Sequence, residues 1–137
     1  MAEGSGRPTM ATVFGVLDII FGVFGIAGLY NLKNTFTFLG VVYGIISVLS
    51  ILVGILLFVA GVFLIMNKGK ALMLNMYYAY ASLVVVVIAA IFLIVRFGAM
   101  GLMGGIVALI VGFIYPLVIL FVLLKNSEVK SFYSGRE

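Results

Sequence analysis

Four apolar runs, each longer than about 20 residues, dominate this chain and leave it few ways to fold. They cover about 11–31, 38–66, 71–95 and 101–124. Only short polar breaks separate them: Lys33-Asn34-Thr35, Asn67-Lys68-Gly69-Lys70 and Arg96-Phe97-Gly98. A helix needs about 20 apolar residues to cross a bilayer. Barrel strands alternate apolar and polar over about ten residues, and these runs are apolar on every side. With such short connections, consecutive helices pack as antiparallel neighbours. The expected fold is all-α: a polytopic membrane protein built as an antiparallel four-transmembrane-helix bundle.

Composition agrees. Charged residues make up 9% of the 137 and the mean hydropathy is +1.42. Soluble domains carry roughly 25% charged residues, so the polar surface here is too small to cover a water-soluble fold. Residues 1–10 read as a short polar lead-in, with Pro8 and Thr9 supplying start chemistry for the first helix. Residues 125–137 read as a short tail that extends the fourth helix or lies on the headgroups. The first apolar run is longer than a signal-peptide core and is read as a retained helix.

With four spans, the lead-in, the second connection and the tail share one side. That side holds Arg7, Lys68, Lys70, Lys125, Lys130 and Arg136, against Lys33 and Arg96 on the other. Six against two places both termini in the cytoplasm, in the inner membrane. The net charge of +4 therefore reads as topology signal and lipid-headgroup contact, and nucleic acid is not expected as a partner.

No Cys and no His occur. That removes thiolate nucleophiles, imidazole bases and the two commonest zinc ligands. No phosphate-binding loop, nucleophile elbow or dinucleotide fingerprint is present, and Ser47 and Ser50 have no base beside them. No enzyme activity, cofactor or metal is expected. The methionines near the helix ends read as gap-filling side chains, without the ligand spacing of a copper site.

Two patterns remain. The first is a stripe of small residues. Ala11, Gly15, Asp18, Gly22 and Gly25 recur at intervals of four and three and fall on one face of the first helix. Gly40, Gly44, Ser47, Gly54 and Gly61 keep that phase on the second, and Gly101, Gly105, Ala108 and Gly112 on the fourth. In lipid, small residues let backbones approach closely, so Gly15, Gly22, Gly25, Gly44, Gly54, Gly61, Gly105 and Gly112 are expected at helix interfaces.

The second is Asp18, an acid alone inside an apolar span. At a rise of about 1.5 Å per residue, Asp18, Tyr78 and Tyr115 all lie about 10–14 Å from the same surface. Asn75 and Ser82 flank Tyr78 by one turn. Burial disfavours the charged form, so a neutral, hydrogen-bonded acid is expected. Asp18, Tyr78, Tyr115, Asn75 and Ser82 form the candidate intramembrane polar site. Pro116 leaves the Gly112 carbonyl without its helical partner and is expected to kink the fourth helix.

Three stretches carry a resemblance. They are Arg7–Gly22, Gly54–Gly61 followed by a basic turn and a Tyr-bearing helix, and Ile114–Leu120 followed by a polar tail. Together they resemble a family of small, uncharacterised four-span bacterial membrane proteins. That family often carries Asn where this chain has Asp18, and a Trp-Gly-Arg turn where this chain has Asn67-Lys68-Gly69-Lys70. The resemblance implies the four-span architecture and no activity. An Asn at position 18 cannot carry a proton, which favours a polar clamp over proton exchange.

Two functions fit. One is a non-enzymatic structural or interaction protein: a self-associating bundle, or an accessory subunit among other membrane-protein subunits. The other is a small channel, or a proton- or cation-coupled carrier using Asp18.

Overall fold

The computed structural model of the chain describes residues 7–134, and these are helical with no strand among them. The helices are α1 (Thr9–Ile26), α2 (Leu32–Ile65), α3 (Ala71–Phe97), α4 (Ala99–Val118) and α5 (Ser127–Tyr133). A 3₁₀ turn, Ala27–Asn31, follows α1, and a π turn, Ile119–Leu123, follows α4. Four segments are long and apolar enough to cross a membrane: Thr9–Tyr30, Gly40–Ile65, Ala71–Phe97 and Ala99–Leu123. The protein is a multi-pass membrane protein. Residues 1–6 of the expected lead-in and 135–137 of the tail, with Arg136, lie outside the described residues.

The first connection differs from expectation. Lys33-Asn34-Thr35 is helical, and the break comes at Gly40, with φ 90° and ψ 174°. A φ of that sign strains any residue with a Cβ, so the turn falls on the glycine. Residues 32–39 therefore form a separate short helix ahead of the span, and Phe36 lies against Gly44. The stripe on α2 is interrupted here. A Cβ at Gly40 would meet nothing within 4 Å, and a Cβ at Gly44 would first meet the ring of Phe36.

α1 packs along α2 and α3 along α4, and the two hairpins meet through α2 and α3. Between α3 and α4 the chain reverses at Gly98, φ 64°. At the other end of the bundle α2 closes in a Schellman motif: Lys68 N donates to Phe63 O at 2.9 Å and Asn67 N to Leu64 O at 3.3 Å. Asn67 takes φ 61°, a left-handed conformation that Asn tolerates better than most residues.

Two further donors reach that helix end. Arg7 donates from Nη1 to Ile65 O at 2.8 Å and to Asn67 Oδ1 at 2.9 Å, and from Nε to Thr12 Oγ1 at 2.9 Å. Tyr133 Oη donates to Leu64 O at 2.6 Å. The last carbonyls of a helix lack intrahelical donors, and a cation there also complements the helix dipole. The end of α2 thus fastens both the N-terminal and the C-terminal segments.

The tail forms a helix of its own instead of a continuation of α4. Asn126 Oδ1 accepts from Val129 N at 2.9 Å, a side-chain N-cap. Val129 and Tyr133 are buried against the bundle, while Lys130 is exposed. Arg7→Ala is expected to cost about 1–3 kcal/mol, because it removes charge-assisted bonds and leaves Ile65 O and Asn67 Oδ1 unpaired. Tyr133→Phe is expected to cost about 1 kcal/mol. Thermal melts in detergent measure both. Arg7→Ala melting with the native protein would show that the clasp contributes nothing.

Candidate functional site

Intramembrane polarity converges at one point. Asp18 is 0% exposed, on the face of α1 turned toward α2. Gly61 of α2 makes room for it: a Cβ there would stand 2.6 Å from Asp18 Cβ and 2.8 Å from Gly15 O. The carboxyl looks across the bundle to α4, where Tyr115 Oη donates to Asp18 Oδ1. This bond crosses between the two hairpins.

Three aromatic rings pack against Tyr115. Phe14 stacks on Tyr115 with centroids 6.1 Å apart, and Phe21 meets its edge at 4.9 Å. Tyr78 of α3 lies 6.3 Å from the Tyr115 ring and is buried. Phe14 and Phe21 stand four residues before and three after Asp18, on the same helical face. The spacing is there to be read in the sequence, but an aromatic in an apolar span carries no signal that sets it apart from its neighbours.

Asn75 is 0% exposed and lies beside the carboxyl, but its Nδ2 donates to Ala71 O of its own helix at 2.9 Å. Ser82 is buried next to Tyr78. Of the five residues expected to cluster, Tyr115 bonds the acid directly. Tyr78 and Asn75 border it, and Ser82 stands a turn away. Two buried oxygens, Asp18 Oδ2 and Asn75 Oδ1, have no hydrogen-bond partner.

Pro116 has no N–H for Gly112 O, and a π turn follows it. Pro116 is buried inside α4, which continues to Val118. The ladder then widens into the π turn, where Leu124 N donates to Ile119 O at 2.9 Å. Ile119 and Leu123 are fully buried.

The glycines of α1 line the α1–α2 contact. Gly25 and Gly54 face each other, a Cβ at either lying 3.0 Å from the other's Cα. Gly15 lies against Leu64 and Ile65, and Gly22 against the backbone of Phe58. On α4, Gly105 lies against Ala90 O, Gly112 against Val86 and Gly101 against Leu93 O. No group of three or more His, Cys, Asp or Glu able to hold a metal occurs among the described residues. Neither family models, nor curated proteins, nor solved structures match this chain.

Proposed function

We propose that the protein is a non-enzymatic structural or interaction component of the membrane, a small bundle that associates with itself or with other membrane-protein subunits. The observation that carries this reading is the setting of Asp18. The one acid of the spans has no exposed surface and bonds Tyr115, whose ring packs against Phe14, Phe21 and Tyr78. A group that exchanges ions with water needs access to it. A group that joins two hairpins needs a partner and dryness, and Asp18 has both.

On this reading both termini face the cytoplasm from the inner membrane. Arg7, Lys68, Lys70, Lys125 and Lys130 gather at the end where α2 fastens both terminal segments. Single cysteines at positions 34 and 69 are expected to label from opposite sides of sealed vesicles. Labelling from one side would overturn the topology.

Association is tested by purification in mild detergent, with the mass of the intact complex measured. A mass above that of one chain is expected, as a multiple or with a second subunit. Asp18→Asn is expected to leave folding and complex mass unchanged. A monomer that carries protons or cations into reconstituted vesicles, and loses that transport in Asp18→Asn, would establish the carrier reading instead.

A further inference from the structure

The outer seam between α2 and α3 is an open furrow with a volume of about 540 Å³. Leu49, Leu52 and Leu56 of α2 wall it on one side, and Tyr80, Val84 and Ile88 of α3 on the other. Leu52, Tyr80 and Val84 are each more than half exposed. A second helix fits this furrow poorly, because close helix approach in a bilayer relies on small residues. α3 contains no glycine, and Gly54 and Gly61 of α2 are turned toward α1. Among the lining residues only Ala81 is small. Long and branched walls leave gaps that a flexible chain follows and a rigid helix does not.

The furrow leads to a charged mouth. Lys70, Tyr77, Ala81, Val84 and Ile88 recur at intervals of seven, four, three and four, so they share one face of α3 and its N-cap. Lys68 stands in the α2–α3 turn, and both lysines are exposed. The chain has no acid between Asp18 and Glu128, so neither α2, the turn nor α3 carries one. At about 1.5 Å per residue, Tyr80 lies about 15 Å along the axis from Lys70, and Val84 about 21 Å. One leaflet with its headgroups is about 20 Å thick. A phospholipid with its phosphate at Lys70 therefore lays the end of a chain along Tyr80 and Val84. Helical side chains lean toward the N-terminus, so the half-exposed Tyr77 and Tyr80 lean toward the lysines, where tyrosines favour the interface.

We propose that this seam binds an anionic diacyl phospholipid of the leaflet at the α2–α3 end, with its phosphate at Lys68 and Lys70 and one acyl chain in the furrow. Basic side chains at a membrane surface are drawn to anionic lipid, and a zwitterionic headgroup offers no such net charge. The inference holds whichever side of the membrane that end occupies, and it is independent of the Asp18 clamp.

The chain has no Trp, so Tyr80→Trp sets a single fluorescent reporter on the furrow wall. Ile114→Trp is the control, on the exposed face of α4 at similar depth in the same leaflet. Each is measured in phosphatidylcholine vesicles with a minor fraction of dibrominated lipid, either phosphatidylglycerol or phosphatidylcholine with the same chains. Tyr80→Trp is expected to be quenched by the brominated phosphatidylglycerol at a fraction at least about fivefold lower, the attraction of one lysine. Ile114→Trp is expected to respond equally to both. Lys68→Gln with Lys70→Gln is expected to remove the preference, and Lys125→Gln with Lys130→Gln to keep it.

Equal quenching of Tyr80→Trp by the two lipids would overturn the proposal. The same preference at Ile114→Trp would also overturn it, as the mark of a diffuse basic surface. Resistance of Tyr80→Trp to both lipids would do so too, because protein would then cover the seam. Should Tyr80→Trp fail to fold, native mass spectrometry of the unaltered chain decides, from micelles with equal amounts of phosphatidylglycerol and phosphatidylcholine. Retained phosphatidylglycerol that the Lys68→Gln, Lys70→Gln variant loses is expected, and equal retention of the two lipids overturns the site.

Discussion

Alanine at Gly22 or Gly61 is expected to destabilise the protein by at least about 2 kcal/mol, while alanine at Gly104 is expected to cost nothing and to gain up to about 1 kcal/mol. The difference lies in what the added methyl meets. At Gly22 a Cβ would stand 2.7 Å from Phe58 N and 2.8 Å from its Cα, and backbone cannot turn aside as a side chain can. At Gly61 it would stand 2.6 Å from Asp18 Cβ and 2.8 Å from Gly15 O, so relief there pushes α1 away and drags the carboxyl from Tyr115. At Gly104 nothing lies within 4 Å, and only the ordinary helix preference for Ala over Gly remains. Gly112→Ala should fall between, at about 1 kcal/mol, because its Cβ would meet the side chain of Val86 at 2.7 Å. Thermal melts of the four variants in one detergent give the order. If Gly22→Ala and Gly104→Ala melt together, the glycines of α1 are not a packing surface.

That gradient marks where the sequence is readable and where it is not. The phase of Gly15, Gly22 and Gly25 on α1 is legible because one helical face of small residues in a span implies a close neighbour. The neighbour's identity is not: spacing along one helix says nothing of which other helix lies against it, and only the fold pairs Gly25 with Gly54 of α2. Gly44 shows the same limit from the other side. Its spacing matches the stripe, yet it accommodates Phe36, because Gly40 turns the chain and brings residues 32–39 across the start of the span. Periodicity assumes an unbroken helix, and a positive φ at one glycine voids the assumption.

The polar cluster is partly legible for a similar reason. Depth along a span follows from residue count, so Asp18 and Tyr115 can be matched by counting along the chain. Asn75 has the right depth too, but a side chain near the start of a helix can satisfy itself on its own backbone, and Asn75 does so at Ala71 O. The clasp at the end of α2 has no sequence signature. Arg7 reads as a topology charge, and only the fold shows its guanidinium bonded to Ile65 O and Asn67 Oδ1. Tyr133 reads as tail and is buried in the core.

Asp18→Asn is expected to change stability by less than about 1 kcal/mol, and Asp18→Ala to lose about 2–4 kcal/mol. The amide keeps the acceptor that Tyr115 uses: its Oδ1 can still accept from the Tyr115 hydroxyl. Alanine leaves the half-buried Tyr115 hydroxyl without its acceptor. Tyr115→Phe alone should cost about 1–3 kcal/mol by stranding Asp18 Oδ1. The combination Asp18→Ala with Tyr115→Phe is then the informative one. Removing both partners abolishes the stranded hydroxyl, so the double variant should be less destabilised than the sum of the singles, with a coupling of at least about 1 kcal/mol. Additive losses would mean that the two side chains do not act as a pair, and the bond between the hairpins would carry no weight in holding them together.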